Sequence, residues 1–184
     1  MIKKYWDDPV YRFLMKAVLL YALWYIAYQQ LLKHITNIDL AVIRNLEFLS
    51  GWILENTGYT LIAESEIASV RTIGIDGTHG LWIGDPCNGL TLFALFTGFL
   101  LAYPGPWKKK LWFIPFGLIT IHALNVLRIV GLALTVYYFP DPEVLDFNHT
   151  YTFTILVYGY VFFLWYLWAV KLSGVNMKIS PSDD

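Results

Sequence analysis

The stretch DPCNGLTLFALFTGFLLAYPGPWKKK, Asp85 to Lys110, carries 16 uncharged and mainly apolar residues from Asn88 to Tyr103, closed by Pro104-Gly105-Pro106 and three lysines. Two prolines remove backbone donors and clash with a continuing helix, so the run ends there. The lysine cluster behind it marks a membrane face, because basic residues collect at the cytoplasmic ends of spans. The pattern therefore predicts a membrane span, and the rest of the chain repeats it. Phe13–Leu32 is a 20-residue run, mainly apolar, behind Lys3, Lys4 and Arg12 and with Lys16 in its first turn, matching the ~20 residues that cross ~30 Å of hydrocarbon. No small-residue cleavage site follows a short apolar core, so this first span reads as an uncleaved anchor. Further spans are predicted over residues 112–139 and 151–170, the last ending at Lys171.

Composition agrees with a membrane setting. The 184 residues are 57% hydrophobic and 15% charged, with 8 Trp, 13 Tyr and 12 Phe, against the roughly 45–50% apolar content of soluble domains. Trp and Tyr suit the headgroup boundary, where one end of the ring is apolar and the other wet. A net charge of −1 leaves no global case for nucleic acid, and a single cysteine excludes an internal disulfide and any multi-thiolate metal cage within one copy. There is no phosphate-binding glycine loop, and no cofactor or metal is assigned.

Between the first two spans lies Ile38–Leu54, where Val42, Leu46, Leu49 and Ile53 repeat at helical spacing while Arg44, Glu47 and Ser50 fall elsewhere on the wheel. Thr36 with Asp39 resembles a capping box, and Asn56-Thr57-Gly58 a stop. Charges in the middle of this helix favour an interfacial position over a spanning one. Parity agrees: with four spans, nine of the thirteen Lys and Arg residues (Lys3, Lys4, Arg12, Lys16, Lys108, Lys109, Lys110, Lys171 and Lys178) fall at cytoplasmic ends. Both termini are then cytoplasmic and residues 33–86 form an extracytoplasmic segment. Its second half predicts a hairpin, Arg71–Ile75 and Thr78–Ile83 about Asp76-Gly77. The expectation is an all-α polytopic membrane protein, a single membrane domain over residues 1–184. It has about four transmembrane helices, an interfacial amphipathic helix and a small extracytoplasmic β-hairpin.

Helical rise then places the chemistry. Cys87 lies 17 residues before Pro104 and Arg128 lies 17 residues after Leu111 on an opposed span, so each stands about 26 Å from the lysine end. His149, 22 residues before Lys171, stands at roughly 33 Å, less what lysine snorkelling absorbs. All three converge on the outer edge of the bilayer. Asp85-Pro86 reads as a helix start, which puts Cys87 at the positive end of a helix dipole, where thiolate is stabilised. Thr91, Ala94, Gly98 and Ala102 share its face as a small-residue seam. A membrane guanidinium costs at least ~2.5–3.5 kcal/mol near the bilayer centre, so Arg128 calls for a function or a buried partner. Asn125, and less closely His122, lie on its side of the helix, with His122 read as a hydrogen-bonded structural residue. His34 and His79 lack supporting context. Thiol, imidazole and fixed cation together are the equipment of acyl transfer. Neither Gly-x-Ser-x-Gly nor His-Glu-x-x-His occurs. Two other readings stay open: a scaffold for surface-polymer or protein export, in which Cys87 packs and Arg128 pairs with Asp85 or Glu143, and a thiol-dependent acyltransferase acting on lipids.

The order Cys87-Asn88-Gly89-Leu90 opening one span, Asn125-Val126-Leu127-Arg128 within the next and Asn148-His149 opening the last resembles the exosortase/archaeosortase family of multi-pass membrane cysteine transpeptidases. The resemblance covers about residues 80–170. Many bacterial members read Cys-Ser-Gly where this chain has Cys-Asn-Gly, and many have more spans. It implies catalytic Cys87, Arg128 and His149, with Asn88, Gly89 and Asn125 supporting them at the extracytoplasmic face of a prokaryotic cytoplasmic membrane. It also implies, as partners besides membrane lipid, exported proteins ending in a recognition motif, a transmembrane helix and a basic tail.

Overall fold

The computed structural model describes residues 8–33, 36–63 and 71–175. The expectations for Lys3, Lys4, His34 and Lys178 lie outside those residues.

Helix α1, Pro9–Ala27, starts with Asp8 accepting a hydrogen bond from the Val10 amide at 2.8 Å and with proline at its first position. It continues through a π turn, Tyr28–Leu32, so the apolar run ends where the sequence placed it. No residue of α1 is buried, and Val18, Leu19, Leu23 and Ile26 are each more than half exposed. So much bare apolar surface on one long helix marks a face for lipid or for another membrane helix. Helix α2 covers Ile38–Asn56. After the strands β1, Thr72–Ile73, and β2, Leu81–Trp82, a 3₁₀ turn at Asp85–Cys87 leads into α3, Leu90–Ala102. Helix α4 runs over Trp107–Tyr138 and α5 over Pro142–Phe147. The π turn Asn148–Thr152, α6 over Phe153–Tyr166 and the π turn Leu167–Leu172 complete one long apolar rod from Pro142 to Leu172.

Three of these segments, Pro9–Gln30, Trp107–Tyr138 and Pro142–Leu172, are long and apolar enough to cross a membrane. The protein is an all-α polytopic membrane protein, with one small sheet among the described residues. The fourth expected span is shorter than its sequence pattern: α3 has 13 residues, a rise of about 20 Å. Gly89, with φ of 87°, breaks the helix off from the turn that bears Cys87. By contrast α4 begins five residues before the expected Trp112 and draws the three lysines into its first turns.

Two cores divide the molecule. Near the lysine end, Leu92, Phe96 and Leu100 of α3 pack with Phe113 and Ile121 of α4, Val157, Val161 and Leu164 of α6, and Trp168. The closest approach is at Gly117, where a Cβ would stand 2.1 Å from the Phe96 ring. At Gly98, one residue of the expected small-residue seam, a Cβ would meet nothing within 4 Å. In the second core, Ile43, Leu46 and Leu54 of α2 meet Ile73, Ile75 and Ile83 and the α4 residues Val126, Ile129, Val130 and Ala133. Helix α2 lies along the far half of α4, tied by His122 Nε2 to Asn45 Oδ1 at 2.7 Å, Ser50 Oγ to Val126 O at 3.4 Å and the Tyr59–Tyr138 hydroxyl pair at 2.6 Å. His122 is thus hydrogen-bonded, as its position suggested. The buried line of α2 is Ile43, Leu46, Ser50 and Leu54, with Val42, Leu49 and Ile53 partly buried beside it. Its N-cap is Asn37, and the expected capping partner Asp39 turns into the protein instead.

The strands pair antiparallel with Thr72 opposite Trp82 and Ile73 opposite Leu81. Asp76-Gly77 does form a tight turn, closed by the Thr78 amide on Ile75 O at 3.1 Å. The ladder nevertheless stops at Ile73, because Gly74 leaves it to accept from the Ile62 amide at 3.1 Å and Ile75 bridges Leu61.

Candidate active site

The 3₁₀ turn Asp85–Cys87 is held from three directions. The Asn125 side chain of α4 donates to Cys87 O at 2.9 Å. Asn88, 2% exposed, donates from Nδ2 to Asp39 Oδ1 at 2.5 Å, and its own Oδ1 accepts from the Leu90 amide at 2.9 Å, supplying the first turn of α3 with an acceptor. Asp39, 7% exposed, also accepts from the Tyr28 hydroxyl at 2.5 Å, so α1 and α2 both brace the residue that follows the thiol. On the other side Arg71 pairs with Asp85, and Lys33 Nζ lies 3.6 Å from the same carboxylate. Gly89 fits its left-handed backbone and its neighbour alike: a Cβ there would come within 3.3 Å of Asn125 Nδ2.

Cys87 Sγ stands 3.4 Å from His149 Nε2. This histidine does not open a helix, as the sequence suggested, but lies in the π turn inside the last rod. The wider turn places its ring toward the thiol, and such turns recur at functional sites. Arg128, half-buried on α4, lines the same cleft with Cys87, Asn125, His149 and the β2 residues Leu81 and Trp82. Among the described residues Arg128 makes no ion pair or hydrogen bond, and Asp85, one of the acids that could have held it, is engaged by Arg71 and Lys33. The cleft encloses about 20 Å³, room for about one water molecule or one small group between thiol, imidazole and guanidinium. All six residues singled out from the sequence thus meet around one turn and one cleft.

Two features differ from the sequence reading. Cys87 precedes α3 rather than sitting in its first turn, because Gly89 intervenes, so its polar neighbour is His149 and not a helix end. The bracing pair Tyr28 and Asp39 was missed altogether. Asp39 looked like a capping residue, and only the docking of α2 against the Cys87 turn, 49 positions away from it at Asn88, gives it another role. No cluster of three or more His, Cys, Asp or Glu side chains able to hold a metal ion occurs among the described residues.

Among curated proteins and among solved structures no significant match is found. The family described as Transmembrane exosortase (Exosortase_EpsH) matches residues 4–170, a stretch that contains Cys87, Arg128, His149 and every helix described above. With nine-tenths of its length covered by that match, the chain belongs to the transmembrane exosortase family.

Proposed function

We propose that this chain is a membrane-embedded cysteine transpeptidase that cleaves C-terminal sorting signals of exported proteins and transfers the trimmed protein to an acceptor. The observation that carries the reading is the 3.4 Å approach of Cys87 Sγ to His149 Nε2 in a cleft shared with an Arg128 that has no ion-pair partner among the described residues. Family membership supports the same class of chemistry.

In this mechanism His149, protonated on Nδ1, accepts the thiol proton at Nε2 as Cys87 Sγ adds to the carbonyl carbon of the scissile peptide. Negative charge develops on the former carbonyl oxygen. Arg128 stabilises it with a planar fork of donors. Collapse of the tetrahedral adduct breaks the C–N bond, and the imidazolium returns its proton to the leaving amine. The substrate's transmembrane helix and basic tail depart, leaving an acyl thioester on Cys87. An acceptor amine or other nucleophile then attacks that thioester with His149 again as base, regenerating the thiol. Asn125, Asn88 and Gly89 hold the turn that aims Sγ.

The test is processing in cells. Cys87→Ala should accumulate an uncleaved protein carrying a motif, a transmembrane helix and a basic tail while the variant persists in the membrane, and His149→Ala should stall at the same step. Normal processing by membrane-resident Cys87→Ala would end the thiol mechanism.

A further inference from the structure

At the opposite end of the molecule from Cys87, α1, α3 and the start of α4 line a second, half-open cavity of about 360 Å³, far more than the ~10–15 Å³ that one water needs on the same measure. Arg12 and Lys16 of α1 and Lys110 of α4 line it, together with Phe13, Leu101 and Trp107. Lys110 is 3% exposed, which is exceptional for an ammonium. Its Nζ donates to Tyr103 O at 2.7 Å and Leu101 O at 3.5 Å, and it lies 4.9 Å from the centre of the Trp107 ring. These partners are all neutral. They use two of the three ammonium protons and leave the charge itself uncompensated. Arg12 and Lys16 stand one helical turn apart, and among the described residues neither makes an ion pair. The nearest described acid along α1, Asp8, spends a side-chain oxygen on the Val10 amide. Three cations therefore face one cavity with no described carboxylate to balance them.

We propose that this cavity binds the phosphate headgroup of an anionic phospholipid. Phosphate oxygens can accept from the Arg12 fork and the Lys16 ammonium together, as charge-assisted hydrogen bonds. Basic pockets between membrane helices are suited to such headgroups. A lipid fits better than free phosphate because the cations share the cavity with Phe13, Leu101 and Trp107, and Leu101 is 37% exposed. An amphiphile meets polar and apolar wall at once, at the end of the helices where headgroups lie. The site is separate from the Cys87 cleft and stands whether or not that cleft is catalytic.

The test uses the full chain purified in neutral detergent, with retention of phosphatidylglycerol and of phosphatidylcholine of equal chain length measured by native mass spectrometry. One phosphatidylglycerol should be held saturably and in preference to phosphatidylcholine. Arg12→Gln with Lys16→Gln should weaken it about 30-fold, the sum of two surface cations. Lys108→Gln with Lys171→Gln removes equal charge outside the cavity and should change it less than about twofold. Arg12→Lys with Lys16→Arg, which keeps both charges, should restore most of the binding and shows that a loss is not misfolding. Equal retention of the two lipids, equal losses in both double glutamine variants, or displacement of the lipid by excess inorganic phosphate would each overturn the proposal.

Discussion

At the scale of single residues the cleft makes two different demands, one on chemistry and one on position. Arg128 bears the first. If its fork stabilises an oxyanion, Arg128→Lys keeps the charge but loses the fixed angles. Processing should then fall on the order of 10²-fold, the usual cost of one oxyanion donor, at unchanged membrane abundance. If the arginine were only a charge in a scaffold, lysine would replace it with a loss of about 1 kcal/mol or less, and full processing at normal abundance would remove Arg128 from the mechanism. Asp39 bears the second demand. Asp39→Ala leaves the Asn88 amide and the Tyr28 hydroxyl without the acceptor they share, at about 1–3 kcal/mol for the buried Asn88 amide and less for the half-buried Tyr28 hydroxyl. An unfolding midpoint measured in detergent should drop accordingly. Tyr28→Phe, which removes a donor and leaves none stranded, should cost less. The contrast between these residues explains what was legible in the sequence. Cys87 and Arg128 could be levelled against each other because helical rise is constant, whereas Asp39 meets Asn88 only through the packing of one helix against another.

At the scale of elements, length and placement parted company. The apolar runs located α1, α4 and the last rod, because hydrophobic extent is a direct readout of the solvent a helix must face. They overstated α3, where the same apolar pattern continues into a left-handed glycine and a 3₁₀ turn. Nothing in residue type announces the π turn at Asn148–Thr152 that carries His149, since it is made by one extra residue in a helical turn. Glycines differ in a way that residue type does not show: a Cβ at Gly117 would stand against the Phe96 ring, while one at Gly98 would meet nothing within 4 Å. A paired substitution separates them. Gly117→Ala drives a methyl into the stiff, fully buried Phe96 ring and should cost about 1–3 kcal/mol as an overpacked core does. Gly98→Ala enters open space and trades a poor helix former for the best one, so it should stabilise by up to about 1 kcal/mol. Thermal unfolding of both variants in detergent checks the ordering, and a reversed order would place the close approach elsewhere.

For the whole molecule, the arrangement of ends is the strongest topological statement. The start of α1, the α3–α4 connection and the end of the last rod gather on one side: Pro9 and Arg12 line a cavity with Tyr103 and Lys110, and Lys109 Nζ donates to Leu172 O at 2.9 Å. Six of the ten described basic residues, Arg12, Lys16, Lys108, Lys109, Lys110 and Lys171, therefore share one end, while Cys87, α2, the sheet and the other four, Lys33, Arg44, Arg71 and Arg128, belong to the other. Helix α4 sets the scale. Its 32 residues rise about 48 Å, well beyond the ~30 Å of hydrocarbon, and Arg128 stands 21 residues, or about 31 Å, from Trp107. If the lysine end sits at one face of the bilayer, the thiol, imidazole and guanidinium sit at the other, and α2 with the residues after it runs beside α4 through that level, from Asn45 against His122 to Tyr59 against Tyr138. Basic residues mark the cytoplasmic side, so the cleft should open extracytoplasmically, where an exported protein arrives. Cysteine labelling in a Cys87→Ala background tests this without assuming a substrate. In intact cells a membrane-impermeant maleimide should modify Asp76→Cys, on the turn next to β1, and should reach Lys108→Cys only after the membrane is opened. Labelling of Lys108→Cys in intact cells would invert the protein and turn the cleft toward the cytoplasm, where no exported acceptor waits.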